Sequence, residues 1–304
     1  MTTVVVTGGA GFIGSHLVRH LIGMGHRVHV IDDLSAGKAE NVPQGATLHQ
    51  EDVRLPAALE TIVALQPDTV FHLAAQADVQ HSIQHPREDT EINVLGTLNM
   101  LEACRQGGIR KFVFASTSGV YGNLQKDVLE ETDPAVPISF YGLSKYAAEH
   151  DVRLYGELFD LDWTVLRFAN VYGPGQTSKG EGGVVSIFLN QLRQGMPLTV
   201  NGDGEQTRDF IYVQDVVAAL AAAQTSGERK ILHVSTGQAT SVNRLVELLR
   251  LHHGQHTVCV HRPDRAGDIR HSRLSNARAL AHLNWRPAYG IEEGLQLTYQ
   301  SYFR

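Results

Sequence analysis

Three glycines spaced three apart, Gly8, Gly11 and Gly14, follow a β-branched run at residues 3–6 and precede apolar residues at Leu17, Val18, Leu21 and Ile22. No other stretch restricts the fold as much. Periodicity changes from strand to helix across the glycines, so they form the first turn of a βα unit. Gly8 and Gly11 permit a tight turn and close backbone approach to a pyrophosphate, and Gly14 lets the helix pack on the strand. The helix start offers free N–H groups and the positive end of its dipole to phosphates. A second strand, Arg27–Ile31, ends at Asp32 and Asp33. Asp32, 24 positions after Gly8, suits a carboxylate that accepts hydrogen bonds from an adenosine ribose. Its charge would repel a 2′-phosphate, which favours NAD over NADP. A βα turn with no ligand is the competing reading, weakened by the strand before, the helix after and the acid behind.

Strand and helix patterns then alternate through residues 47–49, 55–65, 69–73, 91–104, 111–115, 141–158 and 163–167. That alternation predicts an α/β chain built on a Rossmann-type doubly wound parallel sheet. Leu73, Ala74, Ala75 and Gln76, mostly small, suit a backbone that passes close to a cofactor. Composition shifts at the glycine-rich stretch 176–183. We expect a dinucleotide-binding domain over 1–170, with 215–234 returning to it, and a smaller C-terminal α/β substrate-binding domain over 171–304.

The formal net charge of -6 favours neither nucleic acid nor an anionic membrane as partner. Two cysteines, Cys104 and Cys259, give no disulfide framework and no metal spacing, consistent with a reducing cytoplasm. The N-terminus has no basic region before a long apolar one, so no signal peptide is read, and no apolar run is long enough for a membrane span. Sixteen histidines are scattered. Neither the pair His16/His20 nor the group His252/His253/His256 has a carboxylate or cysteine placed to complete a metal site, so no metal is expected.

Tyr141 and Lys145 fall one helical turn apart on one face. An ammonium there favours the phenolate and lowers a tyrosine pKa from its usual ~10, giving an acid/base for an alcohol. Such pairs also arise by chance, and the context decides. Arg208 stands in the block 201–216, where a guanidinium can fork onto phosphate oxygens or pair with Asp209 or Asp215.

The glycine spacing, the Tyr141–Lys145 pair, Asn93-Val94-Leu95-Gly96-Thr97, and Gly202-Asp203-Gly204 followed by Arg208-Asp209-Phe210 and Asp215 resemble the extended short-chain dehydrogenase/reductase family. The resemblance runs from residue 4 to about 287 and is greatest to the UDP-glucose (UDP-galactose) 4-epimerase branch. It implies a NAD-dependent cytoplasmic isomerase of nucleotide-sugar (carbohydrate) metabolism. It also implies a homodimer through the helices carrying Asn93 and Tyr141. Thr117 aligns with the catalytic hydroxyl, beside Ser116 and Ser118. The family's cofactor contacts fall on Gly8, Gly11, Phe12, Ile13, Gly14, Asp32, Asp33, Ser35, Asp52, Val53, 73–76, Asn93, Tyr141, Lys145 and Phe168. Asp52 would meet the adenine amino group, or merely cap a helix. Asn93 would help position the lysine. Substrate contacts fall on Thr117, Asn170, Gly183, Val184, Thr199, Val200, Asn201, Arg208, Arg265, Asp268 and Ser272.

The 4,6-dehydratases of the family carry an Asp-Glu pair directly after the catalytic threonine. Here those positions are Ser118 and Gly119, neither able to act as general acid or base, so dehydration is disfavoured. The expected reaction is 4-epimerisation of UDP-Glc/UDP-Gal through a 4-keto sugar. A UDP-glucuronate 4-epimerase or decarboxylase, and a non-catalytic NAD-binding sensor, are the alternatives. In this branch the residue four after the Asp of Arg-x-Gly-Asp gates the space beside C2; counting from Asp268 gives Ser272. A small residue there implies that UDP-GlcNAc/UDP-GalNAc also enter.

Overall fold

A computed structural model describes residues 1–177, 183–254, 257–263 and 270–303. Seven strands form one parallel sheet: β1 Thr3–Thr7, β2 Arg27–Ile31, β3 Ala46–His49, β4 Thr69–His72, β5 Lys111–Thr117, β6 Asp162–Phe168 and β7 Lys230–Val234. Their spatial order is β3-β2-β1-β4-β5-β6-β7. The winding direction reverses between β1 and β4, and doubly wound sheets bind ligands in the crevice beyond such a switch point.

Parallel strands covered on both faces read as unbroken apolar runs. Val4, Val5 and Val6 are all fully buried. Val4 and Val6 pack with Leu17, Val18 and Leu21 of the helix Phe12–Gly23 and with Val216, Val217 and Leu220 of Val213–Ala223. Val5 points into the opposite layer, with Ile62, Leu101 and Val152 from the helices Pro56–Leu65, Gly96–Gly107 and Phe140–Phe159. Each strand therefore anchors two helix layers.

A third core gathers Phe188, Leu189, Leu198, Val200, Leu245, Leu249 and Leu295. The helices Val184–Arg193, Val242–His253 and Ile291–Phe303 contribute to it. So does the strand Leu198–Asn201, which pairs in parallel with Cys259–Arg262. One expectation of local structure changes: the helix pattern read over 91–104 opens as a π-helical turn over Glu91–Leu95. Among the described residues no helix is long and apolar enough to cross a membrane.

Candidate active site

At the switch point the backbone runs very close. Gly8 has φ +70°, and a Cβ on it would lie 2.7 Å from Ala74 N; one on Gly14 would lie 2.1 Å from the Gly8 carbonyl oxygen. Gly14 thus seats the helix on the turn itself rather than on the strand. No side chain caps the helix start at Gly11, leaving the first N–H groups to a ligand. Asp32 is buried and accepts Ala10 N–H and Leu34 N–H, both at 2.9 Å. Burial raises its pKa and these bonds pull it back. The acid therefore holds the glycine turn in shape, with lone pairs remaining for a ribose. A cradle that a Cβ would fill, an uncapped helix start and an adjacent carboxylate fit a dinucleotide. Among the described residues no three His, Cys, Asp or Glu are grouped to hold a metal.

The remaining cofactor candidates lie around this cradle. Asp33 accepts Ser35 N–H and Oγ–H. Asp52 accepts the Arg54 guanidinium and Arg54 N–H, and those side-chain bonds hold its carboxyl below the usual range. It does not cap a helix, since Leu55 is the cap of Pro56–Leu65. The Val53 carbonyl accepts Asn99 Nδ2–H. Leu73 N–H donates to the Thr7 carbonyl and Ala74 N–H to Thr7 Oγ1; Ala75 lies half-buried on the same loop.

One cleft of about 220 Å³ brings Phe12, Ile13, Thr117, Tyr141, Phe168, Asn170, Gly183 and Val184 together. Its other lining residues include Ser116, Ala77, Ala169 and Gln176, which sequence reasoning did not select as ligand contacts. Ser139 caps the helix Phe140–Phe159 by accepting Gly142 N–H, which places Tyr141 in the first turn. Thr117 Oγ1 accepts Gly119 N–H at 3.0 Å, so the hydroxyl proton remains to donate. Lys145 is 2% exposed, with Nζ 4.4 Å from the centre of the Phe114 ring.

Asn93 is buried on the π-helical turn. It bonds both Gln76 N and Gln76 O, and donates to Ser144 Oγ at 3.1 Å. Ser144 Oγ donates to Asp89 at 2.6 Å. Asn93 therefore reaches Ser144, the neighbour of Lys145, through its side chain.

Arg208 donates to the Thr207 carbonyl. The carboxylate of Asp209 serves Thr236 and Gly237, and that of Asp215 serves Ala288 and Tyr289. Ser272 N–H donates to the Thr207 carbonyl, putting Ser272 beside the Arg208 strand. Thr199 N–H donates to Gln191, and the Asn201 carbonyl accepts Gln206. Val200 is buried, and its main chain lies in the ladder with Cys259–Arg262, opposite His261. Arg265, Asp268 and His256 lie outside the described residues. His16 bonds the Pro174 carbonyl and Gln214 and ties the first helix to both segments.

A parallel sheet with a glycine cradle at its switch point, and a Tyr–Lys helix beside a threonine hydroxyl, defines a dinucleotide-dependent α/β enzyme acting on an alcohol. Residues 4–234 match the model of the NAD dependent epimerase/dehydratase family, and the chain belongs to that family. It is 43% identical to the UDP-glucose 4-epimerase of Thermotoga maritima, solved with UDP-glucose (TM-score 0.96; 99% of this chain, 98% of that one). The UDP-glucose 4-epimerase of Thermus thermophilus, solved with NAD, is 42% identical (TM-score 0.93; 99% of each chain). The UDP-N-acetylglucosamine 4-epimerase of Methanobrevibacter ruminantium, solved with UDP-N-acetylmuramic acid, is 34% identical (TM-score 0.95; 99% and 98%).

Proposed function

We propose that the protein is a NAD-dependent 4-epimerase of UDP-hexoses, acting on UDP-Glc/UDP-Gal and, through a small Ser272, on UDP-GlcNAc/UDP-GalNAc. The observation that carries this is the single cleft in which Tyr141 and the Thr117 hydroxyl face Phe12, Ile13 and Phe168, with Ser118 and Gly119 supplying no further acid or base.

Bound in the cradle, NAD supplies the oxidation and re-reduction of C4. Thr117 donates a hydrogen bond to the reacting sugar oxygen. Tyr141 takes the O4 proton and later returns it. Lys145 favours the phenolate and bonds the nicotinamide ribose; moving a tyrosine from ~10 to near 7 takes roughly 4 kcal/mol of differential interaction. Phe168 flanks the nicotinamide, Asn170 holds a phosphate oxygen, and Arg208 grips the diphosphate while the 4-keto sugar turns about it. Asp32 and Asp33 favour the unphosphorylated ribose. Residues 1–170 with 215–234 serve the cofactor, and 171–304, with Arg265 and Asp268, the nucleotide sugar.

The same reading makes the protein a homodimer. On the helix Phe140–Phe159, Leu143, Leu154 and Leu158 form one exposed stripe (50%, 49% and 68% exposed), and Leu95 on the neighbouring turn is 53% exposed. It also places the protein in the cytoplasm, in keeping with two free cysteines.

NMR of product mixtures from UDP-Glc, UDP-GlcNAc and UDP-glucuronate, with no NAD added, tests the reaction. Inversion at C4 without net redox is expected, and Tyr141→Phe should lower the rate by about 10²–10⁴-fold. Bound NAD with no inversion in any arm, and Tyr141→Phe indistinguishable, would refute it; CO₂ from UDP-glucuronate would make it a decarboxylase.

A further inference from the structure

A buried polar chain behind the cofactor cradle takes no part in the acid/base step, and its protons can be assigned one by one. Ala74 N–H donates to Thr7 Oγ1 at 3.1 Å. Thr97 Oγ1 donates to the Asn93 carbonyl at 2.6 Å, so toward His72 its oxygen can only accept. The 3.0 Å contact from His72 Nε2 to Thr97 therefore carries its proton on the ring. That makes Nδ1 an acceptor, and Thr7 Oγ1 donates to it at 2.7 Å. The bonds run in one direction, Ala74 to Thr7 to His72 to Thr97 to Asn93. Thr7, His72 and Thr97 are at most 1% exposed.

Both ends of the chain meet the same loop. Ala74 is the residue against which Gly8 packs, and Asn93 brackets Gln76 and reaches Ser144. We propose that His72 is a positioning residue of the epimerase site: its neutral ring bridges Thr7 to Thr97 and so holds loop 73–76 under the dinucleotide and Asn93 against the helix that carries Lys145. The inference rests on the epimerase reading above. A histidine that only filled the core would need its ring, which stacks on Phe114 at 5.8 Å, but not its two nitrogens.

Substitutions that preserve one nitrogen at a time separate the roles. His72→Asn keeps an acceptor near Thr7, His72→Gln brings a donor to Thr97, and His72→Phe keeps the ring and neither bond. Each is compared with wild type by calorimetric titration of NAD and by kcat and KM for UDP-hexose interconversion. His72→Asn should hold NAD as wild type does while kcat falls about tenfold; His72→Gln should lose about tenfold in NAD affinity with the smaller change in kcat; His72→Phe should lose both. KM for the UDP-sugar should not move. Thr97→Val cuts the same chain with a near-isosteric change, and should behave as His72→Asn does if the His72 variants fail to fold. His72→Phe matching or exceeding the Asn and Gln variants would overturn the proposal, as would Thr97→Val indistinguishable from wild type. If wild-type protein binds NAD and interconverts no UDP-hexose, the epimerase reading has failed, and the pattern of NAD affinities still decides on the bridge.

Discussion

Removing Glu149 should leave a charge buried with no counter-charge. Its side chain and that of Arg167 are 1% and 4% exposed. Two fork bonds join them, Nε to Oε1 at 2.9 Å and Nη2 to Oε2 at 2.6 Å, and Ser116 Oγ donates to Oε1 at 2.5 Å. Burial alone would lower the Arg167 pKa, but the bonds and charge of Glu149 more than offset it, so the guanidinium stays charged. Glu149→Ala strands two N–H donors and one hydroxyl away from water. Breaking such a pair from one side costs about 3–5 kcal/mol. With an unfolding entropy of about 2.1 cal/mol/K per residue over this length, Tm should fall by about 5–8 °C. Circular-dichroism melts measure it. Exchanging both partners together, Glu149→Met with Arg167→Met, removes the desolvation with the attraction and should lose less than Glu149→Ala alone. The reasoning fails if Glu149→Ala melts within about 2 °C of wild type, or if the double variant loses as much as the two single ones combined. Because Ser116 adjoins Thr117, kcat should fall in Glu149→Ala even well below its melting point.

Gly14→Ala places a Cβ 2.1 Å from the Gly8 carbonyl oxygen, so the turn must open; NAD affinity, by calorimetry, should drop by about tenfold or more. Ser272→Tyr should suppress UDP-GlcNAc turnover relative to UDP-Glc, and an unchanged ratio of the two activities would remove the gating role. Burial, aided by the charge of Lys145, pushes His72 down to about 3, and burial does the same to His233. Unfolded histidines bind a proton near pH ~6.5, so below that the unfolded state holds more protons and stability falls as pH drops. The slope is up to about 1.4 kcal/mol per pH unit for each histidine. Denaturant melts between about pH 7 and about pH 5 should show it, with a shallower slope in His72→Gln, and a flat profile would contradict the buried neutral state.

Where local chemistry decides, the chain was legible. The β-branched run Val4-Val5-Val6 announced a strand, the glycines announced the turn, and the four-residue spacing of Tyr141 and Lys145 fits the helix Phe140–Phe159 on which both stand. The break at Glu91–Leu95 was not legible, because a π-helical turn uses the same helix-forming residues and differs only in which carbonyl each N–H meets. Nor was the chain through His72. Its partners stand 65 and 25 residues away, and nothing near His72 in sequence marks it as more than the end of a strand.

By itself the sequence determined the order of strands and helices, the site of the phosphate-binding turn, and the kind of acid/base available. Those rest on steric and periodic preferences within a few residues. Only the tertiary structure decided which polar side chains are neutral, charged or bridging. His72 is uncharged because β1 lies beside β4 and buries its ring against Thr7, and Arg167, charged in any setting, meets its counter-charge only because the helix Phe140–Phe159 lays Glu149 against β6; packing sets the desolvation and the partners of both.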